Sequence, residues 1–120
     1  AYYQDTKIFP PMHTIVIRRD VYEKHRWVAQ NLFKAFVEAQ KIVYQDFAQT
    51  AAMMAMLPWH NAAVEEAVEL MGEDWWPYGF EANRESVAIF LKYHYECGLS
   101  KRLLEPEEVF APETLEAFKI

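Results

Sequence analysis

His13 stands between a proline pair and an arginine pair in the stretch Phe9 to Asp20, FPPMHTIVIRRD. An imidazole titrates between about pH 5 and 8, so it can give or take a proton, or bond a polar ligand. A histidine at a strand end can equally just hydrogen-bond neighbouring backbone, and both readings are open. Thr14 adds a hydroxyl that strand alternation would turn to the opposite face. Arg18 and Arg19 can bind anions, although arginine at a strand edge is more often solvated. Arg84, beside Asn83, has the same status.

Other chemistries find less support. The histidines His13, His25, His60 and His94 show no H-x-x-x-H or H-x-x-E-H spacing, so no metal site is expected. His94, Glu96 and Cys97 make only a weak local cluster, and Cys97 has no obvious activating base. There is no G-x-S-x-G and no phosphate-cradling glycine loop. The loop Trp75-Trp76-Pro77-Tyr78 could close over an aromatic ligand. Sealing a hydrophobic core between helices is the commoner use of such a loop.

These residues need elements to position them. Met12 to Arg18 is built from β-branched and apolar residues without glycine or proline, which predicts a strand. Pro10 and Pro11 predict a stiff extended approach to it, and Lys7 stands where the chain must reverse. Even an isolated pair of strands is marginal in water, so the partners of Met12 to Arg18 are expected outside these residues. Ala1 to Asp5 reads as the end of a helix. Asp20 and Glu23 predict a capping box opening a helical stretch to about Gln49, with a break near His25 to Trp27.

In that stretch Gln30, Lys34, Glu38, Lys41 and Gln45 draw a polar stripe. Opposite it lie Val28, Leu32, Phe36, Ala39, Val43 and Phe47, widened by Phe33 and Val37, which predicts burial over more than half the circumference. Thr50 is expected to cap a short helix Ala51 to Leu57 ended by Pro58. Asn61 is expected to cap the next helix, through Met71 with Gly72 after it, and Asn83 another, Arg84 to Cys97, closed by Gly98. Pro106 and Pro112 mark the first turns of two short helices. The reading is a mostly α chain with a single strand.

Composition bounds the function classes. The length of 120 residues allows one domain, and only three glycines argue against an all-β fold of tight turns. A net charge of −6 with no long run of one sign argues against a general nucleic-acid or anionic-membrane surface. No apolar run reaches the roughly 18 residues of a membrane span, and no signal peptide is visible. Cys97 is alone, so no internal disulfide forms, which fits a reducing compartment.

The stretches AYYQDTKIFPPMHTIVIRRDVY at the start, LPW at Leu57 to Trp59, GEDWWPYG at Gly72 to Gly79 and GLSKRLLEPEEVFAPETL near the end follow in one order. In them the chain resembles the C-terminal part of the 4,5-dihydroxyphthalate decarboxylase family. It departs at Arg26, where the family tends to have Pro, and near Lys7, where it tends to have Gly. The resemblance implies an α/β two-lobe fold of the periplasmic-binding-protein-like type II class, related to thiamine-precursor and alkanesulfonate solute-binding proteins. Residues 1–120 would then be the C-terminal part of a larger chain. The strand at about 12–18 would be the return crossing between lobes, and the helices after it would cover the first lobe.

The implied reaction takes one carboxylate from 4,5-dihydroxyphthalate in aromatic catabolism, leaving 3,4-dihydroxybenzoate and CO2, with no organic cofactor. It needs a proton donor and binding groups for the retained carboxylate and the catechol. His13, at the start of that crossing strand, is the candidate catalytic residue, as proton donor or catechol contact, and Thr14 and Arg18 are candidate substrate contacts. It implies a cytoplasmic enzyme whose partner is a small aromatic dicarboxylate. These residues alone would be inactive, and a homo-oligomer is expected, with 12–18 pairing outside the chain. The alternative is a periplasmic substrate-binding protein of an ABC-type transporter with the same fold.

Overall fold

Helix propensity and 3.6-residue periodicity dominate the sequence after residue 18, and the structure follows them. A computed structural model describes residues 2–52 and 54–116. Helix α1 spans Tyr2–Thr6, α2 Arg19–Lys24, α3 Trp27–Phe47, α4 His60–Met71 and α5 Phe80–Glu96. Two 3₁₀ helices follow, Pro106–Val109 and Pro112–Thr114. Among the described residues no helix is long and apolar enough to cross a membrane.

The expected mostly α character is therefore observed, but the single strand is not. No described residue lies in a strand, and residues 7–18 carry no regular structure. A strand exists only through a ladder to a neighbour, and the described residues supply none. Lys7 does reverse the chain: its φ is +58°, and its N–H donates to Tyr3 O at 2.7 Å.

The break before α3 falls at His25 and Arg26, as expected. The capping box of Asp20 and Glu23 does not form. The helix begins one residue earlier, and the Asp20 carboxylate is held by Arg18 instead. The short helix expected over 51–57 is absent among its described residues, and Met53 lies outside them. Seven residues before a proline give few hydrogen bonds against the cost of nucleation. Helices α4 and α5 also begin before their expected caps, so Asn61 and Asn83 lie inside them. The Asn83 amide donates to Gly79 O at 2.9 Å.

The chain divides into two compact units, Ala1–Phe33 with Tyr78–Ile120, and Lys34–Pro77. In the first, Ala29, Phe80, Val87 and Leu91 are buried. Residues 80, 87 and 91 share one face of α5, and each side chain of this size contributes about 1.5–3 kcal/mol when fully buried. The 3₁₀ helix Pro106–Val109 packs on α5 and buries Pro106. Phe110 meets Phe80 edge-on at 5.5 Å.

Two glycines shape this unit. Gly79 has φ +104°, and a Cβ there would come within 3.0 Å of the Phe33 ring. Gly98 has φ +72° and ends α5 with a paired closure, Leu99 N–H to His94 O and Gly98 N–H to Tyr95 O, at 3.0 and 2.9 Å.

In the second unit, α3 from Lys34 onward turns Val37, Gln40, Tyr44 and Phe47 inward, while Phe36, Ala39, Ile42 and Val43 stay exposed. Burial over more than half the circumference of α3 is thus not realised.

Candidate functional site

His13, Thr14 and Arg18 share one exposed segment of the first unit. His13 and Thr14 are exposed and make no hydrogen bond, ion pair or ring contact with described residues. Without a ladder, no strand faces separate them. The His13 ring is therefore open to a hydrogen bond from or to whatever is brought to it.

Arg18 is already engaged. Its Nε donates to Asp20 Oδ1 at 3.0 Å and its Nη2 to Asp20 Oδ2 at 2.7 Å. Both side chains are mostly exposed, at 80% and 65%, so water screens the pair and a dianionic ligand could displace Asp20. Arg84 is committed too, with Nε and Nη2 each 2.8 Å from Glu107 Oε1. The Glu107 carboxyl lies below its ordinary range because of a bond from its own backbone and then the Arg84 donor.

The Trp75-Trp76 loop is tied to α3 within its own unit. Tyr44 Oη donates to Asp74 Oδ1 at 2.9 Å and accepts from Trp76 N–H at 3.0 Å and from Gln40 Nε2 at 3.2 Å. Gln40 also donates to Trp76 O. The Trp75 ring lies 4.5 Å from Tyr44 and 6.2 Å from Phe47, centroid to centroid. Trp75 thus packs within this unit, while Trp76 stays exposed, at 38%.

The remaining histidines each meet an aromatic ring. His60 is buried at 5% exposure, with its ring 5.3 Å from Phe47. His60 Nε2 and Asn61 Oδ1 are buried with no hydrogen-bond partner among the described residues. His94 packs on Phe90 at 5.8 Å, and His25 meets Trp27 edge-on at 6.2 Å. Among the described residues, no three His, Cys, Asp or Glu side chains gather as metal ligands would.

One charged cluster escaped the sequence reading. Tyr22 Oη donates to Glu113 Oε2 at 2.6 Å, and Arg26 Nη1 lies 3.7 Å from Glu113 Oε1. The guanidinium stands 5.6 Å from the Tyr22 ring centre. The Tyr22 hydroxyl holds the Glu113 carboxyl below its usual range, helped by backbone and Arg26, while the same bond raises Tyr22. With 91 positions between Tyr22 and Glu113, no local pattern signals it.

No family model matches the chain. A curated relative, 4,5-dihydroxyphthalate decarboxylase of Comamonas testosteroni, is 39% identical over 119 residues. The match takes in 99% of this chain but 36% of the relative, so the chain spans about a third of the length of the curated relative it matches. Over nearly all of its residues, this mostly helical chain is related to a protein that bears a decarboxylase's name.

Proposed function

We propose that these residues are the C-terminal part of a longer decarboxylase that converts 4,5-dihydroxyphthalate to 3,4-dihydroxybenzoate and CO2. The observation that carries this reading is the 39% identity to a relative of that name along 99% of the chain. It favours an enzyme over a transporter's substrate-binding protein, because the matched relative bears an enzyme's name. The longer protein would be cytoplasmic, with two α/β lobes around a cleft. Segment 12–18 would pair there with strands of the rest of the polypeptide, consistent with the lack of a ladder among the described residues.

The chemistry follows from the substrate. Each carboxylate has a hydroxyl para to it, which pushes electrons into the ring. The carbon bearing the departing carboxylate takes a proton, the C–C bond breaks, and its electron pair restores the aromatic ring as CO2 leaves. The hydroxyl proton is regained, so one proton is consumed overall. His13, a free imidazole on the exposed segment, delivers that proton or holds the catechol. Arg18 exchanges Asp20 for the retained carboxylate, and Thr14 adds a hydroxyl contact. The test is product: the longer protein should form 3,4-dihydroxybenzoate from 4,5-dihydroxyphthalate, and substrate left intact by well-folded protein overturns the reading.

A further inference from the structure

Arg18 meets Asp20 through two parallel bonds, Nε to Oδ1 at 3.0 Å and Nη2 to Oδ2 at 2.7 Å. The backbone sets this up locally. Arg18 is extended, at φ −56° and ψ 135°, and α2 opens on the next residue, which brings the two side chains together. A planar fork of this kind is also how arginine takes the carboxylate of a ligand. One edge of the guanidinium thus serves either carboxylate, and Asp20 is the one that never diffuses away. Tethered two residues off, it competes at an effective concentration on the order of millimolar or above.

We propose that Asp20 is the product-release residue of the site, reclaiming Arg18 as the retained carboxylate leaves. The inference rests on the decarboxylase reading above. Its chemical ground is that the reaction leaves the gripped groups unchanged. The retained carboxylate and both hydroxyls of 4,5-dihydroxyphthalate persist in 3,4-dihydroxybenzoate, so contacts to them hold substrate and product alike. Binding shared in this way lowers KM without raising kcat, and it slows product release. A protein carboxylate that competes for Arg18 loosens that shared grip. Exposure sets the size of the effect. Both side chains lie mostly in water, where such pairs are weak, so Asp20 lowers ligand affinity by only about two- to fivefold. It is displaced readily and restored readily. Asp20 acts through Arg18 and touches neither the substrate nor the reacting carbon.

The test uses the longer protein with Asp20→Asn, which keeps the size of the side chain and removes its charge. Calorimetry with 3,4-dihydroxybenzoate should show Kd lowered by about two- to fivefold. KM for 4,5-dihydroxyphthalate should fall by a similar factor, while kcat does not rise. In an Arg18→Met background the same substitution should leave Kd unchanged. Asp20→Ser gives the same reading if the Asn protein fails to fold. Unchanged affinity in folded Asp20→Asn protein overturns the inference, since the ligand then does not take the edge that Asp20 holds. Weaker binding overturns it too, by making Asp20 a support for Arg18 in the bound state. So does a gain that persists without Arg18, which assigns the effect to direct repulsion between charges. All three leave the decarboxylase reading standing if product forms. Tighter binding by an Asp20→Asn protein that releases no CO2 removes that reading and leaves the competition for Arg18 in place. Failure of every one of these proteins to bind 3,4-dihydroxybenzoate removes both.

Discussion

The Tyr44 hydroxyl donates to Asp74 Oδ1 at 2.9 Å and, through its oxygen, accepts the Trp76 N–H at 3.0 Å. One side chain on α3 thereby fixes the loop that carries both tryptophans. Tyr44→Phe keeps the ring against Trp75 and removes only the hydroxyl. It should cost about 1–2 kcal/mol, because the Trp76 N–H and the Asp74 carboxylate lose a partner together. Urea denaturation checks this, and an unchanged midpoint would mean that the loop is held by ring packing alone.

Gly79→Ala should destabilise the first unit by about 1–2 kcal/mol, the cost of a Cβ in left-handed backbone, with crowding against Phe33 in addition. Gly72→Ala, where φ is +91° but nothing lies within 4 Å of the added carbon, supplies the strain without the contact. Thermal denaturation of the two variants separates the terms. Equal losses would show that the Phe33 ring moves aside at no cost.

The capping box of the 3₁₀ helix Pro106–Val109 gives a pH prediction. Arg102 binds both oxygens of Glu108 at 2.6 and 2.9 Å, and the Glu105 N–H donates to Oε2 at 2.8 Å. Arg102, then the backbone donor, takes the Glu108 carboxyl from 4.5 down to about 2. A carboxylate depressed on folding stabilises the turn fully above its unfolded value. That stabilisation is lost as pH falls from about 4.5 through about 2. A carboxyl-detected NMR titration should place the Glu108 midpoint near 2, and Arg102→Met should return it toward 4.5. A midpoint near 4.5 in the unsubstituted protein would show that these bonds do not persist in solution.

Where the fold was legible in the sequence, a single residue could answer a backbone demand. Gly72 and Gly98 mark helix ends because positive φ costs glycine little, and Pro106 and Pro112 open short helices because their missing N–H is not needed there. Helix starts were less legible, since a capping side chain can bond elsewhere: Asp20 went to Arg18, and the Asn83 amide to Gly79 O. The strand at 12–18 failed for a different reason, because β pairing belongs to two segments and only one is described. At the candidate site the identities of His13, Thr14 and Arg18 could be read, but their surroundings could not. The Tyr22–Glu113 bond joins opposite ends of the chain and leaves no periodic trace.

His13→Ala in the longer protein should lower kcat/KM by at least about tenfold, or about 1.4 kcal/mol of transition-state stabilisation. A denaturation midpoint measured beside the kinetics distinguishes lost chemistry from lost folding. Steady-state kinetics beside a melting curve make the test. Unaltered kinetics in a folded variant would remove His13 from the reaction.

The central claim is decarboxylation, and one measurement tests it most directly. The longer protein, given 4,5-dihydroxyphthalate in D2O, should release one CO2 for each 3,4-dihydroxybenzoate formed, with one deuterium at the ring carbon that lost the carboxylate. The 120-residue chain alone should release none, since a site completed by the rest of the longer protein would lose its positioning and electrostatic stabilisation here. Binding of the dicarboxylate by the longer protein without release of CO2 would contradict the account.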